Sequence, residues 1–597
     1  MTQYYCNPIN GNYRYQFIRN PLDGSITLNR EAADPSLVRF KGKYYLFASM
    51  TLDVWISDDL INWESQKLPE NLPLYGYAPD VCAVGDYLYF CASNNFGASD
   101  YYRTKDAVNG PYEKIESTFG FHDPHLFSDD DGKLYFYWGC SDSAPIWGAE
   151  LDPITMKPKD KERPLISSNP YVKGFERMGD DNSTLPLDKE TTERHLTEMM
   201  KAAGMKKEDT PEEMIKMATS TIRNAPYIEG PWMNKYQGKY YLQYASPATQ
   251  LNVYSDSVYE SDSPLGPFQL AKNNPFSYKP GGFMQGAGHG STLQDIHGNI
   301  WHAATMRISV QHQFERRVGI WPAGFDSDGE LFCNQRYGDW PQPVKAGTID
   351  PWEAPEWYLL SYKKKISASS YLDGKEPHQA VDENARTWWK ARSNASDEWL
   401  QLDLGESMAI HALQINFADD VILTDTPPTL NDMTITRYID DRNWVTRWIL
   451  EASEDGIDYI VLKDNSKAKT DLPHDFLTWP EGIHARFMRI TFKELPFGQN
   501  ACVSGFRVFG RGKGERPQIP EFEAIRSGDC DMDIEIKANG SAGYNILWGH
   551  KADKLYHSYL TYEPNKRIGA LVVGTEYFVR VDSFNENGIT QGIIKKL

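Results

Sequence analysis

Acidic residues recur at one place in a repeated pattern, in company that suits acid–base chemistry. Glu229 stands between an apolar Ile228 and a turn-prone Gly230-Pro231, next to Trp232. The hairpin that follows is M-N-K-Y, a Gln237-Gly238 turn, then K-Y-Y-L-Q-Y-A-S; aromatic strands bounding a Gly turn mark a strand–turn–strand unit. The unit recurs as D-P-S-L-V-R-F-K-G-K-Y-Y-L-F-A-S from Asp34 and P-D-V-C-A-V-G-D-Y-L-Y-F-C-A-S around Asp80. It recurs again as H-D-P-H-L-F-S-D-D-D-G-K-L-Y-F-Y-W-G around Asp123, and as H-G-S-T-L-Q-D-I-H-G-N-I-W-H-A-A from His289. Carboxylates gathered at one point can hold protons unequally. One, ionised, activates a water; another, protonated, delivers a proton; a third negative charge disfavours ionisation of its neighbour.

The elements that must gather them follow from the repeat. Self-similarity at about 40 to 60 residues, each unit a small antiparallel sheet, predicts a β-propeller, and five copies predict five blades. The innermost strand of every blade lines the central channel, so Asp34, Asp80, Asp123, Glu229 and His289 are expected to converge there. The gap before the Glu229 copy is longer than the others, and residues about 185–222 change character to T-T-E-R-H-L-T-E-M-M-K-A-A-G and T-P-E-E-M-I-K-M-A-T. Thr210 reads as an N-cap, Pro211 as the first helical residue and Glu212 as first-turn acid, so two short helices are expected near the site face, as a pocket wall or a solvated insertion.

After Pro351 the pattern changes to short strands at close spacing with turn signals, which predicts a β-sandwich. The whole chain is therefore expected to be all-β. The divisions are a propeller over 1–350, a jelly-roll sandwich over 351–512 and a small immunoglobulin-like sandwich over 513–597. The 597 residues carry a formal charge of −20, which argues against nucleic acid or an anionic membrane as partner. No run reaches the roughly 18 apolar residues of a membrane span. The first residues, M-T-Q-Y-Y-C-N-P-I-N, lack the positive and apolar regions of a signal peptide. A periplasmic or extracellular location with a leader removed is expected, with the cytoplasm open. Seven scattered cysteines without a C-x-x-C pair indicate buried free thiols, not zinc or a disulfide framework.

E-A-A-D-P-S-L, F-H-D-P-H-L and Y-I-E-G-P-W, in this order in a five-repeat array, resemble glycoside hydrolase family 43 over roughly residues 30 to 340. The resemblance implies an inverting glycosidase of oligo- or polysaccharides, with Asp34 as general base, Asp123 as pKa modulator and orienter, and Glu229 as general acid. It implies a channel position for His289, where some relatives hold a calcium ion through waters; no cofactor is otherwise required. It places Arg307, in H-A-A-T-M-R, where relatives contact the sugar or the central carboxylates. The sandwich motifs A-V-D-E-N-A-R-T-W-W, E-W-L-Q-L-D-L-G and V-S-G-F-R-V-F-G resemble the discoidin (coagulation factor type C) family. Y-N-I-L-W-G and G-T-E-Y-F-V-R-V-D-S-F look like a fibronectin type III sandwich, expected to space or pack.

Each position also has a plainer reading. Asp before Pro is common in turns. Asp80 is a channel or substrate-pocket residue, or one making structural hydrogen bonds. Trp55, Phe121 and Trp232 flank the motifs and either stack on a sugar ring or pack in the core. His289 is a metal ligand or a hydrogen-bonded core histidine, and Asp129-Asp130-Asp131-Gly132 is a hairpin turn. A non-catalytic carbohydrate-binding propeller predicts loss of at least one of the three carboxylates, and all three are present. The expected activity is exo-acting removal of terminal α-L-arabinofuranosyl residues, with β-D-xylosidase and galactofuranosidase as alternatives.

Overall fold

The computed structural model describes residues 2–20, 23–94, 97–117 and 119–597. Five antiparallel blades follow in chain order. Their inner strands are Ala33–Phe40, Asp80–Val84, His125–Ser128, Ile228–Tyr236 and Gln285–Gln294. Each inner strand pairs with the aromatic strand of its hairpin, as in Leu37↔Leu46 and Met233↔Leu242. The aromatics fill the space between blades, as where Phe47 meets Phe90 at 5.8 Å. Side chains close the ring between the first and fifth blades: Ser291 Oγ accepts from the Leu37 amide and Thr305 Oγ1 from the Asp34 amide.

The insertion forms helices α1 (Lys189–Ala202) and α2 (Glu212–Arg223). Asp188 caps α1 by accepting from the Thr191 amide. At α2 the expected cap is displaced by one residue: Pro211 itself is the N-cap and Thr210 ends the preceding turn. Among the described residues, no helix is long and apolar enough to cross a membrane.

In the second module two long strands, Trp399–Phe417 and His474–Glu494, bend at register shifts and run through both layers of a sandwich. Its core is apolar, with Trp389, Leu402, Ile410 and Val508 wholly buried. The third module packs a three-stranded sheet, with Met532–Ile536 at its centre, against a five-stranded one centred on Gly543–Gly549 and Phe578–Asn585.

The three parts are not separate beads. The N-terminal hairpin Arg14–Arg19 and Ile26–Glu31 takes its third strand, Arg437–Ile439, from the second module. The third module continues the apolar core of blades three and four, where Tyr278 meets Trp548 edge-on at 5.9 Å. Trp340 sits between Phe509 of the second module and Phe584 of the third. Interlocking at this scale needs long-range pairings that local sequence patterns do not encode.

Candidate active site

One backbone device aims the site. Asp34, Ala78, Asp123, Gly230 and His289 all adopt the left-handed conformation, with φ between 48° and 56°. In the first, fourth and fifth blades this residue falls in a register shift at the head of the inner strand. A bulge of this kind turns the chain and points one side chain toward the channel. For a residue with a Cβ the left-handed region costs about 1–2 kcal/mol, strain that the surrounding hydrogen bonds must hold. Serines at the ends of the second strands do so: Ser49 Oγ accepts from the Ala78 amide at 2.8 Å, and Ser93 Oγ from the Asp123 amide at 2.8 Å.

This geometry corrects the expected alignment at Asp80. The second blade presents Ala78 at the converging position, and Asp80 lies two residues on, one layer deeper. There its Oδ2 accepts from the Leu126 amide and its Oδ1 meets His125 Nδ1 at 2.9 Å. Ser36 and Ser291 hold the next blade in the same way, so Asp80 ties blade to blade with both of its oxygens engaged. Glu229 is also offset, one residue before the bulge glycine. Gly230 is required there, because a Cβ would come within 2.6 Å of the His289 ring. Gly230→Ala is therefore expected to displace His289 and lower kcat by at least about tenfold, with reduced thermal stability. A variant with unchanged kcat and melting temperature would contradict that packing.

Asp34, Asp123, Glu229 and His289 do meet. Asp34 Oδ1 lies 3.0 Å from Arg316 Nη1 and 3.4 Å from His289 Nδ1, and Oδ2 accepts from Ser49 at 2.7 Å. Burial alone would raise this carboxyl; Arg316, His289 and Ser49 outweigh it and hold it below its ordinary value. Asp123 also accepts from Ser93 and stands 3.8 Å from His289 Nδ1. Burial, then Glu229 and Asp34, push Asp123 up to about 7 against the lowering pull of His289. One oxygen each of Asp123 and Glu229 and the Cys140 sulfur lie within 4.8 Å of one another. Glu229 accepts from the Tyr254 hydroxyl and, at 3.2 Å, from the Cys140 thiol. Burial and the neighbouring carboxylates raise both donors well above their usual values, so they keep their protons and fix the orientation of Glu229.

His289 is set from below. Its amide and that of Gly290 donate to Asp256, which is backed by His302 at 3.0 Å. Burial would lower its pKa, but Asp34, Asp123, Glu229 and Asp256 outweigh it and raise it. Its Nδ1 faces the Asp34 and Asp123 carboxylates, the company that suits a protonated ring.

For Trp55 and Phe121 the core reading holds and sugar stacking does not. Trp55 and Phe121 are each 1 % exposed and are core residues, Trp55 against Gly11 and Tyr13, Phe121 against Tyr101 and Phe136. Trp232 meets the His125 ring at a tilt, with centroids 4.2 Å apart. Arg307 bonds Asp180 and Gln285, and of the two contacts implied for it the one to the central carboxylates is made by Arg316. Sequence reasoning missed Arg316, Tyr254 and Cys140. For Cys140 the signal was its place in W-G-C-S, at the end of the third hairpin.

Comparison with known proteins agrees with this geometry. The profile of glycosyl hydrolases family 43 matches residues 23–176 and 182–331, and that of the F5/8 type C domain matches residues 365–429. Xylosidase/arabinosidase 43A of Humicola insolens is 26% identical over 350 residues, 51% of this chain and 96% of that protein. A xylosidase/arabinosidase of Bacteroides ovatus is 25% identical over 272 residues, 40% of this chain and 75% of that protein. The solved structure of Bacteroides ovatus Xyloglucan PUL GH43B aligns over 100% of this chain and 92% of its own, with a TM-score of 0.43 and 16% identity. Two matched segments that together make up just over half of its length, with the three carboxylates inside them, show that this chain belongs to glycosyl hydrolases family 43.

Proposed function

We propose that this glycosidase is exo-acting and inverting, and that it releases terminal α-L-arabinofuranosyl residues from plant polysaccharide side chains. The observation that carries the reading is the different company of its carboxyl groups: cations on Asp34, and neutral proton donors on Glu229. Asp34, held ionised by Arg316 and His289, is the base that activates water. Asp123, pushed up to about 7, stands beside Glu229, and Glu229, oriented by Tyr254 and Cys140, is the donor to the leaving oxygen. Side chains supply every step, so the reading calls for no metal. Inversion implies about 6.5–9.5 Å between the Asp34 and Glu229 carboxyl groups, room for the water.

The exo assignment draws on the insertion. Ser220 of α2 donates to Asp142, two residues beyond Cys140, and the Leu187 amide donates to the Arg223 carbonyl. These contacts hold α2 against the segment that follows Cys140, whose thiol meets Glu229, so the insertion stands beside the site as a wall. A β-D-xylosidase is the second reading, favoured by the names of the two relatives, each called a xylosidase/arabinosidase.

The test is a panel of nitrophenyl α-L-arabinofuranoside, β-D-xyloside and β-D-galactofuranoside, with the product anomer followed by NMR. Release of arabinose as the inverted anomer supports the proposal. Release of xylose alone selects the second reading, and a retained anomer overturns the assigned roles. The pH profile has a sign of its own. Asp34 must be ionised, so kcat/KM falls only below the usual carboxylate range; Asp123 must keep its proton, so kcat/KM also falls as pH rises through about 7. A profile flat to pH 9 would show that the proton resides elsewhere.

A further inference from the structure

Glu31 is wholly buried between two arginines from different modules. On one side Arg316, from the fifth blade, bonds Glu31 Oε1 at 2.5 and 3.1 Å and passes its Nη1 to Asp34 at 3.0 Å. On the other, Arg437 of the second module bonds Glu31 Oε2 at 2.8 Å and also contacts Gln16 Oε1 and the Tyr77 hydroxyl. The Tyr77 ring lies against both guanidinium groups, 5.6 Å from Arg316 and 5.0 Å from Arg437. Glu31, Asp34, Arg316 and Arg437 thus make two charges of each sign in one buried row.

We propose that Arg437 is a positioning residue for Asp34: the discoidin-like module reaches across the N-terminal hairpin and completes the row Arg437–Glu31–Arg316 that holds the base. The proposal rests on the reading of Asp34 as base. With Arg437 present, Glu31 divides its two oxygens between the two arginines, and Arg316 is free to lend Nη1 to Asp34. Without it, two buried carboxylates compete for one guanidinium, and a bidentate Glu31–Arg316 pair draws Arg316 away from the base. The Arg437 backbone is fixed in the sheet, opposite Ile18, so its side chain is oriented before substrate arrives.

A purely structural role for Arg437 would be docking of the module. Docking has other polar contacts that involve neither Glu31 nor Asp34: Arg30 between Asp419 and Asp471, and Arg317 with His474. The charged and titratable groups facing Asp34 are Arg316, His289 and Asp123, with the Tyr254 and Tyr77 hydroxyls nearby. Those facing Glu31 are Arg316, Arg437, Tyr77 and His312.

The test is the pH dependence of kcat/KM in the full chain. Arg437→Met is expected to lower kcat about ten- to a hundredfold with little change in KM, as expected for a misplaced base. It should also move the acidic limb upward by about half to one pH unit, because Asp34 loses part of its cationic support. Arg437→Lys keeps the charge and should leave the limb in place while losing about three- to tenfold in kcat, since an ammonium cannot fork to Glu31, Gln16 and Tyr77 together. A wild-type limb and kcat in a folded Arg437→Met protein would overturn the proposal. If that variant does not fold, Arg437→Lys with wild-type kcat would overturn it. Asp34→Asn run beside them separates the two ideas: an active Asp34→Asn removes the base reading, and this proposal with it. An inactive Asp34→Asn beside an unaltered Arg437→Met removes the proposal alone.

Discussion

Glu229→Gln lowers turnover of unactivated oligosaccharides by about 10²- to 10⁴-fold, the usual contribution of a general acid. It leaves turnover of nitrophenyl glycosides within about tenfold of wild type, because an acidic phenol departs without a proton. The amide has the shape of the acid, and its oxygen can still accept from Tyr254 while its nitrogen faces the Cys140 sulfur, a weak acceptor. The change therefore removes the deliverable proton and little else. Asp34→Asn gives the opposite pattern. Water must be activated whatever the leaving group, so both substrate classes lose activity together. Steady-state rates of the two variants on a nitrophenyl glycoside and on an arabino-oligosaccharide give the comparison. Equal losses on both substrates for Glu229→Gln would remove it as the acid. An Asp34→Asn enzyme that still turns over nitrophenyl substrates would remove Asp34 as the base.

The hairpin repeat was legible because each copy carries its own turn and its own aromatic strand, and such signals are local. The trio was legible because each acid sits beside a proline or glycine that marks the head of an inner strand. The same punctuation, read on the proline, also explains the error at Asp80. Pro35, Pro79 and Pro124 each follow the left-handed residue, so A-P-D places Ala78, and not Asp80, beside the carboxylates. Arg316 could not be read. It lies 282 residues from Asp34 in an ordinary third strand, R-R-V-G-I-W, and only the closing of the ring brings the two together. Tyr254 shares its residue type with the core, and its role appears only through the Glu229 oxygen it meets; Cys140 had the one signal of its place at the end of the third hairpin. Trp55 and Phe121 show the converse. An aromatic near a catalytic motif in sequence points away from it when its strand lies between blades.

Ending the chain after Pro351 is expected to yield insoluble or non-cooperatively unfolding protein, and not a smaller enzyme with nitrophenyl activity. Tyr278, Tyr337 and Trp340 would lose the aromatic partners Trp548, Phe584 and Phe509. Each large apolar side chain returned to water costs about 1.5–3 kcal/mol. Several together approach the whole 5–15 kcal/mol by which a domain is stable. The N-terminal hairpin would also lose its third strand, and a two-stranded hairpin is marginal alone. The exposed face that remains, spread over blades three to five, is of the size and character that drives association. Expression, size-exclusion and thermal unfolding of residues 1–351 beside the full chain decide the matter. A soluble, cooperatively folded fragment with full-chain turnover would mean that the sandwiches only recruit polymer. Aggregation, or a melting temperature lowered by tens of degrees, would mean that they are structural walls of the propeller. A fragment that folds but has lost kcat would leave Arg437 as the contact whose removal matters, since it is the second module's link to Glu31, and through Arg316 to the base.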